Sequence, residues 1–351
     1  MSNRNFSDLQ IHINGRARDF KFYLERYILD KNIIQSKPDE LIYEPTSLYS
    51  CYIHEVIVDK DTHGYFNKDG SLNRFSYPNR GIRIKNQKIN KHKKCIREIT
   101  NKEIMEIDDD CHNIILMNHV DHFNYWHWTF DCLTKLIIAK KLGIVKISKL
   151  RLYVIGYTEL KNFQWDGLDL IGIKRSQVIF SNRKVKFKKL LNISLPSPIS
   201  NSKEVIKLVK SALDQQLGLS GLSNIEKVQN GKVGEKLFIK RGNAKNNRTI
   251  DNIEEVKLLC IDKGYSVIDP GEMSLLEQIE VFRKSTKVVG VHGSAFVNML
   301  YMKSGSVIEL FTKEYCPLHE FALAKHCSLD YKIIESDVNN RIDLKKLENL
   351  L

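Results

Sequence analysis

Residues 288–311, VVGVHGSAFVNMLYMKSGSVIELF, decide how this chain is read. Val288 and Val289 open a buried strand, and a turn of small residues follows at His292, Gly293 and Ser294. Ala295, Phe296, Met299 and Leu300 then keep helical spacing. A glycine turn leads to a second strand that ends at Glu309. A strand, a tight turn and a helix start gather backbone N–H groups at one place, where an anion such as a diphosphate is held.

The same rhythm extends on both sides. KLFIKR reads as a strand, Asn252–Lys263 as a helix behind an Asp/Asn cap, YSVIDP as a strand and Leu275–Lys284 as a helix. KVVGV, Ser294–Met302 and SVIELF then repeat strand, helix, strand. This is the βαβ alternation of a parallel sheet. The first half carries it more weakly. A weak helix spans Phe20–Leu29, CYIHEVIVD (51–59) alternates as a strand, and residues 60–81 read as an irregular surface segment. An acidic turn at Asp108, Asp109 and Asp110 precedes the strand IILM. A helix covers 121–142 with Gly143 as its stop, and RLYVIG and VIFS are strands.

A chain of 351 residues suits two domains. The turn-rich stretch NISLPSPISNS (192–202) marks the junction, followed by a helix from Ser202 to Leu217. The expected division is 1–198 for an N-terminal α/β domain and 199–335 for a C-terminal one. A tail helix in 336–351 packs back on the N-terminal domain.

Composition narrows the function. Seven cysteines lack CxxC spacing and are odd in number, which argues against a disulfide framework or structural zinc. No signal-peptide core and no membrane-length apolar run is present, so a cytoplasmic protein, peripheral at a membrane, is expected. The formal charge is +13, with basic runs at Arg80–Lys102 and Arg183–Lys189. Such runs fit a solvated face, an anionic membrane or glycan, or nucleic acid. No nucleic-acid recognition element accompanies them. The GxGxxG pattern of a dinucleotide dehydrogenase is missing from the strand–helix turns.

Four separated elements carry a family resemblance: NYWHWTFD (124–131), KRGNAKNNRTIDN, YSVIDPGEMSLLEQIEVFRKS, and GVHGSAFVNMLYMKSG with VIELF. In this order they resemble the glycosyltransferase 61 family. Ser294 stands where the family has alanine, and residues before 110 match poorly. The resemblance implies a GT-B type fold, two Rossmann-like α/β domains facing across a cleft. It implies an inverting transfer from a nucleotide sugar, UDP-linked, to a hydroxyl of a glycan or glycoconjugate, with no metal or other cofactor required. Hexosyl, N-acetylhexosaminyl and pentosyl transfer all remain open. A noncatalytic glycan- or nucleotide-binding protein on the same fold is the alternative.

Within that frame the residues take roles. The amides of Ser294 and Ala295 meet the donor diphosphate, with Ser294 as a mere helix cap the alternative. Gly293 allows close phosphate approach or an unusual backbone angle. His292 donates to the leaving phosphate or ribose, and Asn298 binds donor or ties down the turn. Arg241 and Arg248 suit diphosphate because a guanidinium is a rigid, permanently charged fork. Glu309 at the strand end takes ribose hydroxyls or a structural salt link. His127 and Asp131 share a helix face. Asp131 is the expected base on the acceptor hydroxyl and His127 its partner, the two roles being exchangeable. Trp126, Trp128 and Phe130 are core or a sugar platform. A metal site at His119, His122 and His127 lacks the spacing of known hydrolase motifs.

Overall fold

The computed structural model describes residues 9–13, 48–60, 64–68, 104–116, 123–193, 203–219, 233–241, 249–312 and 319–351. The helix expected at Phe20–Leu29, the basic run at 80–102, His119 and His122 lie outside the described residues. The described residues form two compact units, one up to residue 193 and one from residue 203 on.

The first unit holds β1 (Leu9–Ile13), β2 (Leu48–Val58), β3 (Tyr65–Phe66), β4 (Ile104–Ile107), β5 (His112–Ile115), β6 (Leu150–Ile155), β7 (Val178–Ser181) and β8 (Lys184–Ile193). β5, β6 and β7 form a parallel three-stranded sheet. A second sheet has the order β1-β2-β8-β4, with β3 on β2; only β4 and β8 run parallel in it. This half is therefore α/β with a largely antiparallel sheet added. Val56, Phe187, Ile115 and Ile155 join one apolar cluster across the two sheets.

β8 is the former basic run at 183–189. Val185 and Phe187 are buried, while Lys186 and Lys188 reach Glu106 and Asp108 at 2.9 and 3.0 Å. Period-2 alternation makes it a strand with one dry and one charged face. Asp109 caps the acidic turn: it accepts from Asn113 Nδ2 at 2.8 Å and from the Cys111 amide at 3.1 Å.

The second unit is one parallel sheet of β9 (Lys236–Ile239), β10 (Ser266–Ile268), β11 (Lys287–Val291), β12 (Ser306–Phe311) and β13 (Asp330–Glu335), in the order β10-β9-β11-β12-β13. The central strands β11 and β12 are rich in Val and Ile and almost wholly buried, as strands covered on both faces are. From β9 the chain steps out to β10, then returns to the other side of β9 as β11. The strand order thus reverses between β9 and β11. Gly290 of β11 sits opposite Ile239 of β9, and a Cβ at Gly290 would lie 2.8 Å from the Ile239 Cβ. A side chain there would push the two strands apart.

One sheet face packs Phe238, Val289, Val291, Ile308, Leu310 and Ile334 against Val256 and Cys260 of the helix Ile253–Asp262. Ile342 and Leu347 of the tail join the same cluster, within the second unit. Asn252, expected to cap this helix, makes no side-chain cap bond. Its amide instead exchanges two hydrogen bonds with the backbone of Ile342, at 2.9 and 2.8 Å. The helix Leu275–Lys284 does start on a capping box of Ser274 and Glu277.

Candidate functional site

In an open parallel sheet, ligands bind beyond the carboxyl ends of the strands where the order reverses. Here that point lies between β9 and β11. Arg241 follows β9 by two residues and His292 follows β11 by one. Arg241 Nη1 donates to the His292 carbonyl at 2.6 Å, joining the two strand ends. A 3-10 helix, Ser294–Leu300, starts next to them with Gly293 at its N-cap position. The expected helix is thus shorter and tighter, and Ser294 lies inside it instead of capping it. From Val288 to Met302 every residue is buried except Gly293, Ser294 and Ala295, which are half-buried. Solvent meets this stretch only where the first-turn amides, which have no carbonyl partner inside a helix, are found.

Gly293 has φ 176°, an extended angle open to any residue, so the unusual-angle reading does not hold. A Cβ added there would meet nothing nearer than the Val291 carbonyl at 3.8 Å, so open space adjoins the backbone. Asn298 is fully buried and donates to Gln278 Oε1 at 2.8 Å, tying the 3-10 helix to Leu275–Lys284. Arg248 lies outside the described residues.

Glu309 is the fourth of six residues in β12, short of the strand end, and is fully buried. Its Oε1 lies 2.7 Å from His292 Nδ1, and Tyr331 of β13 donates to its other oxygen. Glu320, on the helix His319–His326, places Oε1 3.7 Å from the same nitrogen. The His292 ring stacks on Phe311 at 4.9 Å between centroids. The ligand atoms of His292, Glu309 and Glu320 lie within 4.8 Å of one another, a spacing that a cation would also bridge. Glu320 and Tyr331 escaped the sequence reading, since no local pattern ties them to a histidine 28 or 39 positions earlier.

In the first unit His127 Nδ1 meets Asp131 Oδ2 at 2.7 Å. Asp131 is fully buried and the His127 side chain keeps 18% of its surface exposed, so the imidazole is the half of the pair open to solvent. The helix is not regular here: Trp128–Leu133 is π-helical, between Tyr125–His127 and Thr134–Lys141. The Thr134 amide bonds to Thr129, and the Thr134 hydroxyl takes the Phe130 carbonyl at 2.9 Å. Such insertions are frequent at functional sites. Trp126, Trp128 and Phe130 are buried core, not a sugar platform.

Lys135, one turn beyond Asp131, is also buried and donates to the Ile115 carbonyl at 3.1 Å. Burial pushes its ammonium pKa down. The sequence reading passed over Lys135, although its spacing of four from Asp131 was a signal that could have found it. Burial pushes the Cys132 thiol up to about 12, which removes it as a nucleophile.

The model of the family described as Glycosyltransferase 61 matches residues 125–308, from the start of the His127–Asp131 helix into β12. No curated protein matches the chain.

Proposed function

The chain belongs to the glycosyltransferase 61 family, and from that membership we propose an inverting transfer of a sugar from a nucleotide-sugar donor, UDP-linked, to a hydroxyl of a glycan or glycoconjugate. The observation that carries the donor half is the Arg241–His292 bridge across the point of strand reversal, beside the half-buried turn 293–295.

In this reading the second unit holds the donor and the first serves the acceptor, the division of labour of a GT-B enzyme. The His127–Asp131 pair takes the proton of the acceptor hydroxyl, and the imidazole is the half of the pair that solvent reaches. The hydroxyl oxygen bonds to the anomeric carbon as the bond from that carbon to the diphosphate breaks, and configuration inverts. Negative charge grows on the departing diphosphate. Arg241, Arg248 and the amides of Ser294 and Ala295 meet it, and such preorganised donors lower the barrier. The reaction asks no metal of these groups.

A nucleotide-sugar panel, read by thermal shift and by slow donor hydrolysis, tests this. One donor is expected to stabilise the protein and to be hydrolysed. Arg241→Ala is expected to weaken that donor by about 10- to 100-fold, the usual worth of a charged hydrogen bond. Donor binding with neither hydrolysis nor transfer to any glycan would favour the noncatalytic reading. No response from a folded protein would sink the donor-site assignment.

Gly293→Ala separates steric blockade from folding. The new methyl group has room in the protein, so stability should stay within about 0.5 kcal/mol of wild type. The same group occupies the space a phosphate needs, so UDP affinity should fall about tenfold, one misplaced contact. Calorimetric titration beside a thermal melt measures both. Unchanged affinity would move the diphosphate away from this turn.

A further inference from the structure

We propose that Glu320 and Tyr331 are positioning residues for Arg241. Through Glu309 and His292 they fix the carbonyl on which the guanidinium rests. The inference rests on the donor-site reading above and names residues that reading does not use.

The chain of contacts is continuous. The Tyr331 hydroxyl donates to Glu309, Glu309 Oε1 holds His292 Nδ1 at 2.7 Å, and the His292 carbonyl accepts Arg241 Nη1 at 2.6 Å. The Glu309 contact at Nδ1 fixes the orientation of the His292 ring. The His292 amide donates to the Leu310 carbonyl at 2.9 Å, and Phe311 covers the ring. Residue 292 is thereby held by backbone and side chain together. A guanidinium is planar with five donors, so one N–H pinned on a fixed carbonyl sets the plane in which the others point.

Charge argues that this cluster does more than fill space. Glu309 and Glu320 are both buried and approach one imidazole. Buried carboxylates carry a desolvation cost that apolar side chains of like volume would avoid. What the polar set provides and an apolar one cannot is direction: a fixed ring and a fixed carbonyl.

The test is a double-mutant cycle on UDP affinity by calorimetric titration, with wild type, Arg241→Ala, Tyr331→Phe and the double variant. Tyr331→Phe should weaken UDP about tenfold in the wild-type background. It should change little where Arg241 is already gone, because coupled residues are not additive. A merely structural role would cost the same factor in both backgrounds, and that result would overturn the proposal. Glu320→Gln, nearly isosteric, repeats the cycle should Tyr331→Phe fold poorly. If UDP binds wild type and depends on Arg241 while both positioning variants bind normally, only this inference fails. If no nucleoside diphosphate binds wild type, the donor-site reading fails and takes the inference with it. Tight uptake of one Mn²⁺ or Zn²⁺ per chain, lost in Glu320→Gln, would overturn it in favour of a cation site.

Discussion

Asp131→Asn is expected to lower sugar transfer by about 10²- to 10⁴-fold, the usual contribution of a positioned general base. The substitution keeps shape and removes the charge that the pair needs to take the proton. Donor affinity should be unchanged, because the groups proposed to bind the donor belong to the second unit. The same loss should appear in slow donor hydrolysis, where water replaces the acceptor.

His127 decides how the result is assigned. Its Nδ1 lies 2.7 Å from Asp131, and its side chain keeps partial exposure whereas Asp131 has none. If Asp131 is the base, His127→Asn costs orientation alone, about tenfold or less by the worth of one hydrogen bond. If the imidazole takes the proton and Asp131 fixes its tautomer, the His127 variant is the more damaged of the two. Transfer rates of both variants, with thermal melts to exclude unfolding, separate the assignments. Wild-type rates in Asp131→Asn would remove the pair from the mechanism.

What the sequence discloses follows from how local each feature is. β9, β10, β11 and β12 announce themselves as short apolar runs, and the helix Leu275–Lys284 by its Ser274–Glu277 box. The strand order leaves no local trace, yet it makes Arg241 and His292 neighbours, 51 residues apart in the chain. The run at 183–189 was read by its charge. Its alternation, with Val185 and Phe187 facing inward, made it a strand. The His127–Asp131 contact was readable because the two are one turn apart. The π-helical insertion was not, because it depends on Thr134 bonding two different carbonyls, at Thr129 and Phe130. Glu309 was placed by sequence at a strand end facing ligand. It lies inside β12 instead, and its partners His292 and Tyr331 come from elements that only the fold assembles.

Gly305→Ala is expected to be the most destabilising single substitution in the second unit. Gly305 has φ +128°, and a Cβ there would lie 2.0 Å from the Thr286 carbonyl oxygen. That oxygen already accepts the Ser306 amide at 2.9 Å, while the Gly305 carbonyl accepts the Asp330 amide at 3.0 Å. One residue therefore joins the starts of β11, β12 and β13, and a methyl group cannot enter without parting them. Strained φ costs about 1–3 kcal/mol and overpacking about as much again. The sum, about 2–6 kcal/mol, is a large share of ordinary domain stability. Gly264→Ala supplies the control: its φ is +82° and nothing lies within 4 Å of its added Cβ, so it bears the backbone cost alone. Urea unfolding of the two variants beside wild type isolates the clash as their difference. A Gly305 variant no less stable than the Gly264 one would mean that Thr286 yields readily. The register that sets Gly290 opposite Ile239 and Glu309 would then be soft, and Arg241 and His292 would lose the rigid frame that the donor site requires.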